Sequence, residues 1–437
     1  MNDWNRLGDY VSSSLKGITP KYVTNSSIIV LNQKCIRNNR VDYSFSKFHN
    51  GDKPFNENKI VKVGDLLFNS TGQGTAGRCA FVRKLPIDKT VITDSHILII
   101  RIDDYYLSEC FSYSLYKEED LIQSFMDGST GQGELDKLRL FNIEFKLPSI
   151  KYRKNVCVFL NTIDQKIEVN NKINQELESL AKLIYDYWFV QFDFPDANGK
   201  PYKSSGGKMV YNAVLKREIP EGWESGTFED VAVIIGGSTP SKAEKVYYTK
   251  DNGTPWITPK DLSINKGKKY ITRGEIDVTE KGINKASLKL MPAGTILLSS
   301  RAPIGYLAIS REIVTTNQGF KSFVPRDYFT SEFLFYQIKN KIPLIEARSS
   351  GSTFKEVSAS ILKGIKIIIP PKKIIEEYQK IIKPIFSKQN LVELENQELA
   401  SLRDWLLPML MNGQVTVGEA KEQLGMVAEE NVKYGER

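Results

Sequence analysis

The chain has 437 residues, 41% hydrophobic and 26% charged, with a formal net charge of +8; that is room for two or three domains, each with its own core. No run of about 18 apolar residues occurs, and Met1-Asn2-Asp3-Trp4-Asn5-Arg6 lacks the apolar stretch of a signal peptide, so neither a transmembrane helix nor a leader is expected and the chain reads as cytoplasmic. Cys35, Cys79, Cys110 and Cys157 are scattered without C-x-x-C spacing and only His49 and His96 accompany them, which argues against a disulfide framework or a zinc site.

Between Trp4 and Pro148, short apolar segments are punctuated by glycine, asparagine and aspartate, the pattern of mixed strands and short helices. Residues 28–31, 65–68, 80–82 and 96–100 are the clearest predicted strands. Residues 105–124 read as helical, with Phe111, Leu115 and Leu121 available for one face. Gly128-Ser129-Thr130 follows, and then the strand-like run Ile143-Glu144-Phe145-Lys146-Leu147-Pro148. Residues 1–150 are read as a first domain.

Residues 153–192 differ in character. Val156, Leu160, Ile163, Ile167, Asn170, Asn174, Leu177, Ala181, Ile184 and Trp188 alternate spacings of three and four. That is a heptad seam, with Phe159, Ile173 and Leu180 widening it. A helix of this length would span roughly 60 Å, too far to bury its seam within one small domain. It needs a partner helix. Asn170 and Asn174 weaken the seam and would fix its register; the competing reading is that both are simply solvated. The spacer helix is placed at 151–192.

Residues 193–218, containing Asp193-Phe194-Pro195-Asp196 and Ser204-Ser205-Gly206-Gly207-Lys208, read as a linker. After it the chain repeats itself. Trp4-Asn5-Arg6-Leu7-Gly8-Asp9-Tyr10-Val11 is answered by Ile219 to Trp223 and Phe228-Glu229-Asp230-Val231. Val63 to Ser70 is answered by Pro292 to Ser300, Gly74 to Arg78 by Ala302 to Tyr306, and Thr93-Asp94-Ser95 by Thr316-Asn317-Gln318. A second triplet, Gly351-Ser352-Thr353, lies 223 residues after the first and precedes Ile365-Lys366-Ile367-Ile368-Ile369-Pro370-Pro371. Solenoid units run to roughly 20–50 residues, so this period marks two copies of one domain, the second at 219–372. A second long helix is expected at 373–412. Tyr378, Ile381, Ile382 and Ile385 begin its apolar face, and Leu391, Leu394, Leu399, Leu402, Leu406 and Met409 continue it. Asn174 to Leu180 matches Asn396 to Leu402, making the two helices natural partners. Pro384 should kink or interrupt the second, because proline removes a ladder donor. Residues 413–437 form a charged tail, helical at most.

Lys242, Lys245, Lys250, Lys260, Lys266, Lys268, Lys269 and Arg273 face few acids, and Tyr247, Tyr248, Trp256 and Tyr270 interleave with them. Arg37, Arg40, Lys47 and Lys53 form a looser counterpart in the first half. Such a surface suits tracking phosphates. Catalytic constellations are missing. No G-x-x-x-x-G-K-[ST] loop, H-E-x-x-H or G-x-S-x-G occurs, and Gly72-Gln73-Gly74-Thr75-Ala76-Gly77 fits G-x-G-x-x-G in spelling but aligns with a loop of the second copy. A chain this long without an interpretable active site reads as a recognition component.

Together these residues resemble the specificity (S) subunit of Type I restriction–modification systems. The likeness covers nearly the whole chain. It is carried by the Gly-Ser-Thr turns leading to strands that end at Pro148 and Pro370-Pro371, by the helices after them, by Leu298-Ser299-Ser300-Arg301-Ala302-Pro303-Ile304-Gly305, and by Leu183 to Phe194 as the first helix end. The first copy departs in carrying Phe68-Asn69-Ser70-Thr71-Gly72-Gln73 where the second has a shorter loop.

The resemblance implies an α+β fold: two tandem target-recognition domains, each followed by a long helix, the helices pairing as an antiparallel coiled coil with pseudo-two-fold symmetry. It implies a non-catalytic reader of double-stranded DNA with a bipartite target. Two methyltransferase (M) subunits would dock on the helices, and two restriction (R) subunits could join. No cofactor is expected in this chain; the partners would use S-adenosylmethionine, ATP and Mg. The rival readings are a duplicated protein-binding adaptor and a DNA-modifying enzyme with an unrecognised site. Contacts to DNA are expected from loops combining hydroxyl, amide and basic groups. These are Arg37, Asn39, Arg40, Lys47, Thr71, Gln73 and Gln132 in the first module, and Lys260, Ser300, Arg301, Asn317, Gln318 and Lys355 in the second. For Ser300 and Asn317, turn capping is the competing role.

Overall fold

The computed structural model describes residues 4–72, 74–127, 133–301, 303–349, 355–422 and 425. Both Gly-Ser-Thr triplets lie outside the described residues. The chain divides into two compact units, Met1–Ile167 with Gln397–Arg437, and Glu168–Asn396. The division therefore falls inside the long helices and not at the 193–218 segment. Each unit holds one recognition module together with a piece of both helices.

The first module contains two four-stranded sheets. One has the order Ser13–Lys16, Ile97–Arg101, Leu66–Asn69, Cys79–Phe81; the other runs Thr90–Thr93, Ile28–Leu31, Lys47–His49, Tyr22–Val23. Ile97-Leu98-Ile99-Ile100 is apolar without alternation because both faces of its sheet are covered. Leu98 and Ile100 share a cluster with Phe111 and Leu115 of the helix Tyr105–Lys117, while Ile97 and Ile99 share one with Ile29, Leu31 and Val91 of the other sheet. The expected helix over 105–124 is two helices, Tyr105–Lys117 and Glu119–Gln123, separated at Glu118. That break shifts the phase of the apolar face, so Ile122 is buried and Leu121 is exposed.

The second module repeats this plan. Its five-stranded sheet has the order Ala232–Gly236, Phe320–Pro325, Ile296–Ser299, Leu307–Ser310, Tyr270–Ile271. A parallel pair, Thr254–Ile257 with Thr315–Thr316, corresponds to Ile28–Leu31 with Thr90–Thr93. The repeat reaches individual hydrogen bonds. Asp94 N donates to Leu31 O at 2.9 Å and Asn317 N to Ile257 O at 3.1 Å. Ser70 N donates to His96 O at 2.9 Å and Ser300 N to Gly319 O at 2.8 Å. Gly17 and Gly237 occupy equivalent places: an added Cβ would lie 2.0 Å from Asp94 O at one and 2.1 Å from Asn317 O at the other. Only glycine fits so close to a backbone.

The long helices are Ile150–Tyr185, prolonged by a wider π turn at Asp186–Val190, and Lys372–Met411. In the first unit, Val156, Phe159, Leu160 and Ile163 pack with Leu399, Leu406, Leu407 and Leu410, and Arg403 Nη1 donates to Asp164 Oδ1 at 2.7 Å. In the second unit, Asn170 Nδ2 donates to Glu395 at 2.8 Å and to Asn396 at 2.9 Å, and Phe189 meets Tyr378 edge-on at 4.9 Å. Partner numbers fall along the second helix as they rise along the first, so the pairing is antiparallel. Asn170 sits in the seam as its spacing predicts, 1% exposed and hydrogen-bonded.

Other seam expectations shift. Ile173, Leu180, Ile381 and Leu391 are exposed, while Gln389, Val392 and Glu393 are buried. The second helix runs unbroken through Pro384, which lies on the exposed side, where water can satisfy the carbonyl that proline leaves unpaired. Residues 193–218 are more ordered than a linker: Asp193 accepts from Ser204 N and Oγ at 2.7 Å, Phe194 stacks on Trp223 at 5.0 Å, and Met209–Asn212 pairs with Arg217–Pro220. In the tail, residues 417–422 are helical and Ala420 is buried.

Candidate nucleic-acid interface

In the second module, segments distant in sequence converge on an open cleft of about 620 Å³, lined by Thr239, Lys242, Lys245, Tyr248, Trp256 and Thr258, then Pro259, Lys260, Ile276, Asn317 and Gln318. Local chemistry fixes each wall. Thr258 caps the short helix Pro259–Ile264 through a reciprocal capping box with Asp261, which sets Lys260 on its first turn. Asn317 Oδ1 accepts from Gly319 N at 2.9 Å, an Asx turn that presents the exposed Gln318. Thr239 donates its hydroxyl to Gln318 Oε1. Trp256 Nε1 donates to Ser238 O at 3.1 Å, and Tyr248 meets its ring edge-on at 5.5 Å. The floor is aromatic and the rim carries three ammonium groups, two amides and two hydroxyls. That combination offers phosphate attraction, hydrogen-bond donors and acceptors for base edges, and a flat apolar surface.

The rim cations differ. Lys260 donates to Glu275 at 2.5 Å, which raises its ammonium above the ordinary lysine value, first through the hydrogen bond and then through the charge. Lys242 and Lys245 are exposed and make no ion pair with another described residue. Five members of the basic cluster, Lys250, Lys266, Lys268, Lys269 and Arg273, do not line the cleft. Lys269 is 5% exposed, and Arg273 is paired with Asp277.

Of the other expected contacts in the second module, Arg301 is partly exposed and faces Glu356 at 3.9 Å, and Lys355 is exposed. Ser300 does not reach the surface. It is 0% exposed at the end of a sheet strand, with its amide and carbonyl bonded to Gly319 and Val357. In the first module, Arg37 and Lys47 are exposed, set over the rings of Phe45 at 5.0 Å and Tyr22 at 4.6 Å. Arg40 turns toward Asp164 at 3.9 Å. Thr71 is half-buried, its hydroxyl 2.7 Å from His96 Nδ1. Asn39 is an interior residue: it is 2% exposed, takes a left-handed φ of 56°, and donates to Ser112 Oγ at 3.1 Å. Its role is to turn the chain. Gln73 and Gln132 lie outside the described residues.

Lys242, Lys245, Tyr248 and Trp256 belong to the basic, aromatic stretch of the sequence but not to the expected contacts, and Thr239 belongs to neither. The available signal was Gly237-Ser238-Thr239-Pro240, a polar loop opening on the glycine that packs against Thr316 and Asn317.

A family model described as the Type I restriction modification DNA specificity domain matches this chain twice, over residues 6–179 and 220–403. The chain belongs to that family. The Type I restriction enzyme HindI specificity subunit of Haemophilus influenzae is 26% identical over 476 aligned residues, covering 95% of this chain and 100% of that protein. The MjaIX specificity subunit of Methanocaldococcus jannaschii is 42% identical over 197 residues, 45% of this chain and 44% of its own length, so that match spans less than half of the relative. Among solved structures, the S subunit of a Type I restriction–modification system from M. genitalium superposes with a TM-score of 0.53 at 13% identity, covering 93% of this chain and 96% of that one. At that identity the likeness concerns the fold.

Family membership makes this chain a DNA-recognition subunit with two specificity domains. The adaptor and modifying-enzyme readings are not favoured. Among the described residues, no helix is long and apolar enough to cross a membrane.

Proposed function

We propose that this subunit reads a bipartite duplex target, one half through each module, with a non-specific spacer between the halves. The observation that carries the reading is one scaffold bearing two sets of side chains. At equivalent positions, defined by the shared hydrogen bonds, the first module has Val30, Lys34, Asp94 and Ser95 where the second has Trp256, Lys260, Asn317 and Gln318. A kept backbone with changed donors and acceptors is what two unlike half-sites require, since base identity is read through hydrogen-bond patterns in the groove.

The paired helices serve as a spacer and as the dock for two methyltransferase subunits. Val169, Ile173, Leu180 and Leu183 support the docking role, because they form an exposed apolar stripe along one face of the first helix within the second unit. In this reading the subunit is not catalytic: S-adenosylmethionine and the methyl transfer belong to the partners, as do ATP and Mg in a full restriction assembly. Methylation-sensitive sequencing of the host genome tests it. A motif in two parts with a fixed gap, lost when this gene is deleted, is expected. A continuous motif, or one that survives the deletion, would refute the proposal.

A further inference from the structure

A buried ionic junction inside the second unit lies apart from the cleft, and none of its residues lines it. The short strand Tyr270–Ile271 ends the five-stranded sheet, and an open sheet edge leaves backbone groups to be satisfied. The second long helix takes two of the amides, while Asn265 Nδ2 donates to Tyr270 O at 3.0 Å. Lys269 N donates to Glu393 Oε1 at 2.7 Å and Tyr270 N to Glu393 Oε2 at 3.1 Å. Arg311 grips the same carboxylate at 2.9 Å and also bonds Asn390 at 2.6 Å and Thr272 at 3.1 Å. Beside it, the Lys269 ammonium reaches Glu178 of the first helix at 2.7 Å, Gln389 of the second at 2.7 Å and the Tyr336 hydroxyl at 3.2 Å, with the Phe386 ring 3.6 Å away. Lys339 adds a second cation on Glu178 at 2.6 Å.

Lys269 and Glu393 are 5% and 4% exposed, and the side chain of Arg311 is 7% exposed. Charges buried this deeply contribute little net stability compared with apolar packing of the same volume. What they add is direction: a planar guanidinium fork and a three-pronged ammonium are satisfied at one geometry, whereas an apolar contact tolerates sliding. The first unit repeats the theme with different groups. Tyr113, at the helix position equivalent to Tyr336, donates to Asp164 of the first long helix at 3.0 Å.

We propose that Lys269 and Arg311 are positioning residues that lock the second recognition module to the helix pair at one orientation, and so determine which half-site spacing the subunit accepts. This rests on the bipartite reading above. The test uses the subunit assembled with its methyltransferase partners and a duplex library carrying both half-sites at the native spacing and at one and two base pairs either side. For Lys269→Met the half-site sequences should be unchanged, while neighbouring spacings rise to within about tenfold of the native rate. Arg311→Lys, which keeps the charge but loses the fork, should broaden spacing to a smaller degree, and it keeps the test decisive if Lys269→Met fails to fold. A folded variant with wild-type spacing discrimination would overturn the proposal, as would one that loses methylation equally at every spacing. A wild-type subunit indifferent to spacing would instead sink the bipartite reading itself.

Discussion

The double variant Lys242→Ala/Lys245→Ala isolates the electrostatic part of the cleft. Both side chains are exposed on its rim and neither pairs with another described residue, so each can neutralise a phosphate without first giving up a protein partner. Each neutralised phosphate contributes about 0.9 to the slope of log affinity against log salt, so two should lower the slope by about 1.8. Over a fourfold rise in salt, from about 50 to 200 mM, the wild-type complex should then lose roughly twelvefold more affinity than the variant. Titrating the assembled methyltransferase with a labelled target duplex at four salt concentrations measures this directly. The loss at low salt should be the same for target and scrambled duplex, because phosphates carry no sequence information. Gln318→Ala is the contrasting case, expected to leave the slope unchanged while costing about 1–3 kcal/mol on the cognate half-site. If the lysine variant keeps the wild-type slope, the cleft does not face DNA and the proposed interface is wrong.

Other expectations follow from the junctions and the helices. Asp164→Ala leaves the buried Tyr113 hydroxyl without its acceptor and the partly buried Arg403 with Asp404 alone and should destabilise the first unit by about 1–3 kcal/mol in urea unfolding; Asp164→Leu with Arg403→Met should recover the share due to Arg403 but not that due to Tyr113. Burial alone would push the Glu178 carboxyl up, but the ammonium groups of Lys269 and Lys339 outweigh it and hold it at about 2, against an ordinary 4.5. Its folded value is depressed, so its contribution, up to about 3 kcal/mol, is present above pH 4.5 and lost as pH falls toward 2; Glu178→Gln should flatten the acid limb of a stability–pH curve. Inserting four residues near Gln175, after Asn171, adds about 6 Å and misaligns the antiparallel seam unless four more enter the second helix after Leu394, a place that leaves Gln389, Asn390 and Glu393 together. The matched pair of insertions should lengthen the preferred spacer by about one or two base pairs at roughly 3.4 Å each, read by methylation of spacer-varied duplexes.

The architecture was legible in the sequence wherever it depended on local periodicity or on the chain repeating itself. The three-and-four spacing from Val156 to Trp188 points to one long helix, and five matched segments in the same order, the triplet 223 residues later among them, mark a second copy of the domain. The same repeat marked Thr93-Asp94 and Thr316-Asn317, which prove to hold the same backbone hydrogen bonds. Exposure was not legible. Asn39 and Ser300 have the side chains of a DNA contact, yet one turns the chain inside the first module and the other ends a sheet strand with a neighbour on each side. Lys269 belongs by sequence to a basic surface run, but the turn before Tyr270 carries it inward, where Glu178, Gln389 and Tyr336 receive its charge. Polarity predicts the surface only on average, because a buried charge needs partners that the fold can bring from far along the chain. The cleft was hidden for the same reason: its walls come from residues 239–260, 276 and 317–318, and only the parallel pairing of Thr254–Ile257 with Thr315–Thr316 brings the lysines, the tryptophan and the amides to one place.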